Sequence, residues 1–163
     1  MSFSVGNVST YYDMKKGKEV QRENFNLRFI DSFQFMPSNL AQLVCDLKDG
    51  GLSVFNHTCK EFGIHAEMMT RKGIYPYVYM SSWDKFDVNP SVLTMEDFTN
   101  DLTGEKIQKE DFQFFKEVCS TFDIKTLGEY HDLYLKSDVL LLADVFENFR
   151  RVCREYYKLD PAH

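Results

Sequence analysis

The sequence lacks the patterns of a disulfide-stapled, zinc-binding or membrane-spanning protein. Its 163 residues include only four cysteines, and no Cys-x-x-Cys pair occurs among them. Disulfide frameworks and zinc sites both need closer cysteine spacing, so we expect reduced, buried thiols. No apolar run approaches about 18 residues, and residues 1–5 carry no secretory leader pattern. These absences predict a soluble intracellular protein with no membrane partner.

Positive charge is also scarce, with 19 Lys and Arg against 25 Asp and Glu and a net charge of −6. Non-specific nucleic-acid binders are usually strongly basic, so the composition argues against that class. The deficit is uneven, because residues 1–80 carry 9 cations and 8 anions while residues 81–163 carry 10 and 17. The first half therefore retains a candidate cationic patch, composed of Lys15, Lys16, Lys18, Arg22 and Arg28.

The chain is rich in aromatic residues, with 15 Phe and 9 Tyr. Its apolar residues follow strand-like alternation in some segments and helical spacing in others. Alternation at residues 2–5 and 27–33 predicts a long-looped hairpin within a strand-rich segment, residues 1–36. Residues 37–125 read as short helices and an irregular, aromatic loop, with Ser38 as the first N-cap.

Two helices of the second half have the clearest patterns. Residues 109–122 place Phe112, Phe115 and Val118 on one stripe, as an amphipathic helix does. The T-x-x-E capping box at residues 126–129 predicts a long helix that runs to about residue 159. Its stretch 139–143 is apolar on all sides, which is typical of a buried helix.

Tyr134 and Asp138 on the long helix are the first candidate catalytic residues. A spacing of four residues puts them on one face, one turn apart. A carboxylate that holds Mg²⁺ and a hydroxyl that aligns water are the groups that metal-assisted phosphodiester hydrolysis uses. The spacing alone is expected about once by chance in a sequence of this composition. An exposed Asp138 facing solvent therefore stays an open alternative.

The same stretch, residues 130–146 (YHDLYLKSDVLLLADVF), closely resembles the third exonuclease motif of family-B DNA polymerases of the protein-primed, viral and mobile-element type. Further segments resemble the same family in the same order. These are residues 29–36 (FIDSFQFM), 71–77 (RKGIYPY), 82–86 (SWDKF) and 159–163 (LDPAH).

The resemblance implies an α/β fold: a truncated, ribonuclease-H-like exonuclease fold, helix-rich with a small sheet. It also implies two-metal phosphodiester hydrolysis with Mg²⁺ or Mn²⁺, Asp138 holding a metal ion and Tyr134 positioning the attacking water. Lys72 corresponds to a lysine that assists exonucleolysis near the scissile phosphate. Tyr77 corresponds to an aromatic that contacts the primer end. Ser32 and Phe33 correspond to a single-strand-binding motif, in which phenylalanine replaces the family's leucine.

The resemblance also limits what the chain is expected to do alone. The family's first two exonuclease motifs include an Asp-x-Glu pair, and this sequence has none. We therefore expect residues 1–163 to be the later part of an exonuclease domain of a DNA-directed DNA polymerase. Its partners would be the 3′ end of single-stranded DNA and, in the complete polymerase, nucleotides. We expect the isolated chain to be inactive.

Alternatives remain open both for individual residues and for the whole chain. Lys72, next to a glycine, also suits an ordinary solvated turn, and the alternating Tyr75, Tyr77 and Tyr79 suit core aromatics that fix a loop. The chain as a whole is alternatively a non-catalytic binder of single-stranded DNA that uses the 15–28 patch and the 72–79 loop. A helical protein-interaction adaptor is a further alternative for the whole chain.

Overall fold

The computed structural model describes residues 3–99 and 106–162, with backbone alone at residues 3–5, 7, 22–26 and 28. Within this part the chain is rich in helix and contains a small antiparallel sheet, as predicted. It divides into two compact units, residues 1–38 with 152–163 and residues 39–151. Ser2 of the predicted first strand and His163 of the last motif lie outside the described residues.

The smaller unit contains a two-stranded hairpin. Strand β1 (Phe3–Asp13) pairs antiparallel with β2 (Lys18–Phe29), with a bulge between Asn7 and Val8. Gly17 adopts a φ of 60° in the turn, a conformation that costs glycine little. The hairpin itself is confirmed, but the predicted long loop is wrong, because β1 extends to Asp13, β2 begins at Lys18 and only residues 14–17 connect them. Strand β2 also ends before residue 30. Within the described residues these two strands pair only with each other.

The larger unit is helical. Its helices are α1 (Leu40–Leu47), α2 (Asn56–Phe62), α3 (Ala66–Met69), α4 (Lys109–Thr121) and α5 (Leu127–Tyr157), whose last residues belong to the smaller unit. Short 3₁₀ turns connect them at Lys48–Gly50, Leu52–Val54, Gly63–His65, Trp83–Asp87, Pro90–Val92 and Met95–Phe98.

The ends of these helices follow local capping rules. The predicted capping box at the start of α5 is confirmed, because Glu129 accepts from the Lys125 and Thr126 amides while Thr126 Oγ1 accepts from the Glu129 amide. Gly63 ends α2 with a φ of 53°. The N-cap of α1 is Asn39, whose side chain accepts from Gln42 N at 2.9 Å; the prediction of Ser38 was wrong by one residue.

An aromatic core holds the larger unit together. Phe115 of α4 is 1% exposed and meets the Tyr130 ring edge-on, with 4.8 Å between centroids. The buried members of this core come from α2, α3, the 93–98 segment, α4 and the start of α5: Phe62, Ala66, Met69, Leu93, Phe98, Phe115, Val118, Leu127 and Tyr130. The predicted apolar stripe of α4 therefore faces the core.

The middle of α5 is less buried than its composition predicts. Leu141 is fully buried, but Val139 is 58% exposed and Leu142 is 38% exposed, so the prediction of a helix buried on all sides was wrong. One face of this stretch packs and another remains open. No helix among the described residues is long and apolar enough to cross a membrane.

A buried carboxylate fixes the packing of α5 against α2. Asp144 is 1% exposed and accepts three hydrogen bonds: from His57 N at 2.7 Å, Thr58 N at 3.0 Å and Thr58 Oγ1 at 2.7 Å. The first amides of a helix have no partner within that helix, so Asp144 acts as an N-terminal cap supplied by a distant part of the chain.

We expect Asp144→Ala to lower the free energy of unfolding by about 2–4 kcal/mol, because it leaves buried amide and hydroxyl donors without acceptors. Urea denaturation followed by circular dichroism measures the loss. The matched control is Asp132→Ala, an exposed carboxylate on the same helix, which should cost less than about 0.5 kcal/mol. Equal losses in the two variants would contradict the capping role.

Candidate functional site

An irregular segment, residues 70–80, lies against the first half of α5. Its turns are closed by backbone hydrogen bonds from Tyr77 N to Tyr75 O and from Met80 N to Pro76 O, both 3.0 Å. A Cβ at Gly73 would lie 3.4 Å from Cδ2 of Tyr134, an ordinary van der Waals distance, so the segment runs directly alongside this ring.

Helix α5 presents Tyr130, Tyr134 and Asp138 to this segment at a spacing of four residues, and therefore on one face. Tyr130 is buried, and its hydroxyl donates to the Ile74 carbonyl at 2.5 Å. This bond fixes the segment where Lys72 and Tyr77 reach the same helical face.

Four side chains meet there. Lys72 Nζ donates to Tyr134 Oη at 2.8 Å and to Asp138 Oδ2 at 2.6 Å, and the hydroxyls of Tyr77 and Tyr134 are 2.9 Å apart. We call Lys72, Tyr77, Tyr134 and Asp138 the Lys–Tyr–Asp cluster. It lies entirely within the unit of residues 39–151.

The cluster resolves the alternatives that the sequence left open for these side chains. Lys72 and Asp138 are paired and only 30% and 23% exposed, so neither is a freely solvated surface charge. Tyr75 packs beside the Tyr134 ring, with 4.9 Å between centroids, as a loop-fixing aromatic does. Tyr77 is 69% exposed, so it is not a core residue.

The other two candidate residues lie in the smaller unit. Ser32 and Phe33 form a 3₁₀ turn that Asp31 caps by accepting from Phe33 N at 3.0 Å. The Phe33 side chain is exposed and Ser32 is half-buried. The structure thus brings together four of the six candidate residues in one unit and places these two in the other.

Tyr130 and Tyr134 remain neutral well above physiological pH. Burial raises the pKa of Tyr134 far above its usual value, and the hydrogen bond with Tyr77 and the negative charge of Asp138 act in the same direction. Burial likewise raises the pKa of Tyr130. At physiological pH Tyr134 is therefore a neutral hydroxyl and not a phenolate.

Asp138 is the one carboxylate of the cluster, and its two oxygens differ. Oδ2 receives Lys72, whereas Oδ1 is buried and has no hydrogen-bond partner among the described residues. A carboxylate oxygen without a hydrogen-bond partner can serve as one ligand of a metal ion. However, no group of three or more His, Cys, Asp or Glu side chains suited to a metal ion occurs in the described residues. These residues do not fit a complete two-metal site.

The sequence reasoning assigned no role to a second pair beside the cluster. The Tyr75 hydroxyl and His131 Nδ1 are 2.7 Å apart, and the His131 ring meets Phe86 edge-on. Tyr75 in turn packs against Tyr77 and Tyr134. The available signal was the position of His131 next to Tyr130, in the stretch where α5 meets the aromatic loop.

Comparison of the chain with protein-family models, with curated proteins and with solved structures finds no match in any of the three. Interpretation of the site therefore depends on the residues and their geometry.

We expect the free energy of unfolding to fall as the pH rises above about 10, because Tyr130 and Tyr134 then ionise in the unfolded chain but not in the folded one. Burial also raises the pKa of the Cys119 thiol to about 12. Because this thiol ionises near pH 9 in the unfolded chain, its contribution to the decline begins there, before that of the tyrosines.

Urea denaturation between pH 8 and pH 11 measures this dependence, and Tyr130→Phe should make it shallower. Tyr156→Phe, at a tyrosine that is 72% exposed, is the control and should leave the dependence as in the parent chain. A Tyr130→Phe variant with the parent's pH dependence would show that this phenol ionises normally in the folded state.

Proposed function

We propose that this chain is part of the 3′→5′ proofreading exonuclease region of a family-B DNA polymerase. In this proposal the Lys–Tyr–Asp cluster receives the 3′ end of single-stranded DNA. The observation that carries it is the convergence of two segments, one with Lys72 and Tyr77 and the other with Tyr134 and Asp138. Lys72 and Tyr134 are 62 residues apart in sequence, yet their polar atoms are 2.8 Å apart.

Each side chain of the cluster has chemistry that fits a role at a strand end. The exposed Tyr77 ring offers a face on which a base can stack. The Lys72 ammonium is a point charge for a phosphate, and the neutral Tyr134 hydroxyl can orient a water molecule. Asp138 Oδ1 has no hydrogen-bond partner among the described residues and could serve as one ligand of a metal ion.

The proposed reaction, phosphodiester hydrolysis with two Mg²⁺ or Mn²⁺ ions, needs more carboxylates than the cluster holds. Two ions about 3.5–4 Å apart are neutralised by several acidic ligands. We accordingly propose that Asp138 contributes one ligand and that the described residues alone do not complete the site. Ser32 and Phe33 are proposed as single-strand contacts, and the hairpin and helices as part of a ribonuclease-H-like domain.

The arrangement fits a binding role better than that of an adaptor which contacts only other proteins. In the cluster an ammonium, a carboxylate and two hydroxyls lose much of their hydration, which costs free energy. An adaptor with an apolar contact surface would not have this desolvation cost. Partly buried charged groups with perturbed neighbours are typical of functional sites.

Binding of single-stranded DNA tests the proposal. We expect a fluorescently labelled oligothymidylate to bind at low salt in EDTA, and Tyr77→Ala to weaken that binding by about 5- to 150-fold through loss of base stacking. Fluorescence anisotropy measures the dissociation constants. The matched control is Tyr156→Ala, because Tyr156 is 72% exposed and Tyr77 is 69% exposed. No binding at low salt, where phosphate contacts are strongest, would sink the proposal in favour of the adaptor.

Addition of Mg²⁺ to the same mixture tests the catalytic part. We expect the isolated chain to leave the oligonucleotide intact, since Asp138 is the only carboxylate of the cluster. Gel electrophoresis of the 5′-labelled strand detects any shortening. Digestion that Asp138→Ala abolishes would contradict the expected inactivity while supporting the proposed reaction.

A further inference from the structure

A cavity of about 290 Å³ lies beside the Lys–Tyr–Asp cluster, and Lys72 belongs to both. Its wall is formed by the end of α1, residues 70–72 and one residue of α4. The residues that matter to its chemistry are Val44, Cys45, Lys48, Arg71, Lys72 and Asp111. The volume is at the lower end of the range for small-molecule sites, which suits a group about the size of one nucleotide.

The wall carries an excess of positive charge in a chain whose net charge is negative. Three cations, Lys48, Arg71 and Lys72, face one wall carboxylate, Asp111, which pairs with Arg71. Lys72 is paired with Asp138, which lies outside the wall. Lys48 is exposed and makes no ion pair within the described part of the chain. The cavity thus has a cation available for an anionic ligand.

The cations differ in how firmly they are held. The Arg71 guanidinium lies 4.6 Å from the centroid of the Phe114 ring in addition to its pairing with Asp111. Arginine held in this way keeps further N–H donors in a planar fork, the geometry that matches two oxygens of a phosphate. Lys48 follows the last residue of α1, where a cation is favoured by the helix dipole in any case.

An apolar element completes the wall. Ala41 and Cys45 of α1 are exposed wall residues of low polarity, so the wall offers a weakly polar surface next to the cations, whereas the buried Val44 contributes little of it. A ligand that combines an anionic oxygen group with a less polar body matches that pairing. Inorganic anions would use only the cations and leave the apolar part unused.

We infer that this cavity binds the phosphate ester group of a nucleotide, with Lys48 and Arg71 as its anion contacts. The inference rests on the proposed function, since Lys72 links the cavity to the cluster that would hold the strand end. The phosphate ester has two sources, an internal phosphate of the bound strand or a free nucleoside monophosphate released from it.

Cys45 provides a built-in reporter of occupancy. Its thiol is exposed, so the prediction of buried thiols is wrong for Cys45. Because it belongs to the cavity wall, a bound ligand should slow its alkylation by N-ethylmaleimide. At ten times the dissociation constant, mass action predicts that the rate falls about tenfold. Peptide mass spectrometry separates Cys45 from Cys59 and Cys153, which do not line the cavity and serve as internal controls.

The probes are thymidine 5′-monophosphate, an oligothymidylate, thymidine and inorganic phosphate, each in EDTA. We expect the monophosphate, the oligonucleotide or both to protect Cys45, and thymidine to give no protection. Protection by the monophosphate alone identifies the free product as the ligand, and protection by the oligonucleotide alone identifies the strand. Protection by neither, or equal protection by thymidine, overturns the inference.

Lys48→Gln should abolish the protection and Lys48→Arg should retain it, because the contact depends on charge. The matched control is Lys60→Gln, another exposed lysine, located on α2, which should leave protection unchanged. Loss of protection in both glutamine variants would indicate a general effect of net charge and overturn the inference.

The outcomes also separate this inference from the proposed function. If oligonucleotide binding needs Tyr77 but leaves Cys45 unprotected, the inference of phosphate binding in the cavity is overturned and the proposed strand-end site is still supported. Protection of Cys45 by the monophosphate with no Tyr77-dependent binding of single strands supports the cavity and counts against the exonuclease proposal.

Discussion

The hydrogen bond from the Tyr130 hydroxyl to the Ile74 carbonyl is the contact on which the geometry of the site depends. It joins an irregular segment, which has no periodic pattern of its own, to the face of α5 that carries Tyr134 and Asp138. Tyr130 can hold that position because its ring is buried against Phe115, so the donor is as fixed as the core itself. The positions of Lys72 and Tyr77 follow, since both lie within three residues of the anchored carbonyl. Packing of the core therefore determines where Lys72 and Tyr77 lie relative to Tyr134 and Asp138.

Helix α5 carries two carboxylates with opposite hydrogen-bonding states. Asp144 uses both oxygens to accept hydrogen bonds from the start of α2. In Asp138 one oxygen is paired with Lys72, and the other has no hydrogen-bond partner in the part of the chain that the structure describes. Six residues separate them, which places them about 120° apart around the helix. A carboxylate whose oxygens are all satisfied within the protein has a structural role. One that is partly buried and incompletely satisfied is the group with capacity for an external ligand, and this contrast singles out Asp138.

Features that depend on near neighbours in sequence were predictable, and those that depend on distant contacts were not. The capping box at Thr126 follows from hydrogen bonding within a few residues. Burial around Val139 was mispredicted because apolar composition does not specify which neighbours cover each face. The segment around Lys72 has no helical or strand period, and its partners on α5 are more than 50 residues away. Only resemblance to a family pointed to that convergence, and for the Tyr75–His131 contact the sequence offered no more than the position of His131 beside Tyr130.

Net charge is a poor guide to what this chain can bind, because charges act over short distances in salt. At an ionic strength of 0.1 M the screening length is about 10 Å, so the acidic excess of residues 81–163 has little influence on a site beyond that range. What a ligand meets is the local set, in which Lys48, Arg71 and Lys72 face the carboxylates of Asp111 and Asp138. The overall charge of −6 therefore disfavours non-specific coating of a nucleic acid, where many phosphates are contacted at once. The overall charge does not disfavour binding of a single phosphate at a local cluster of cations. Whether such binding occurs depends on where the lysines and the arginine lie and not on the net charge.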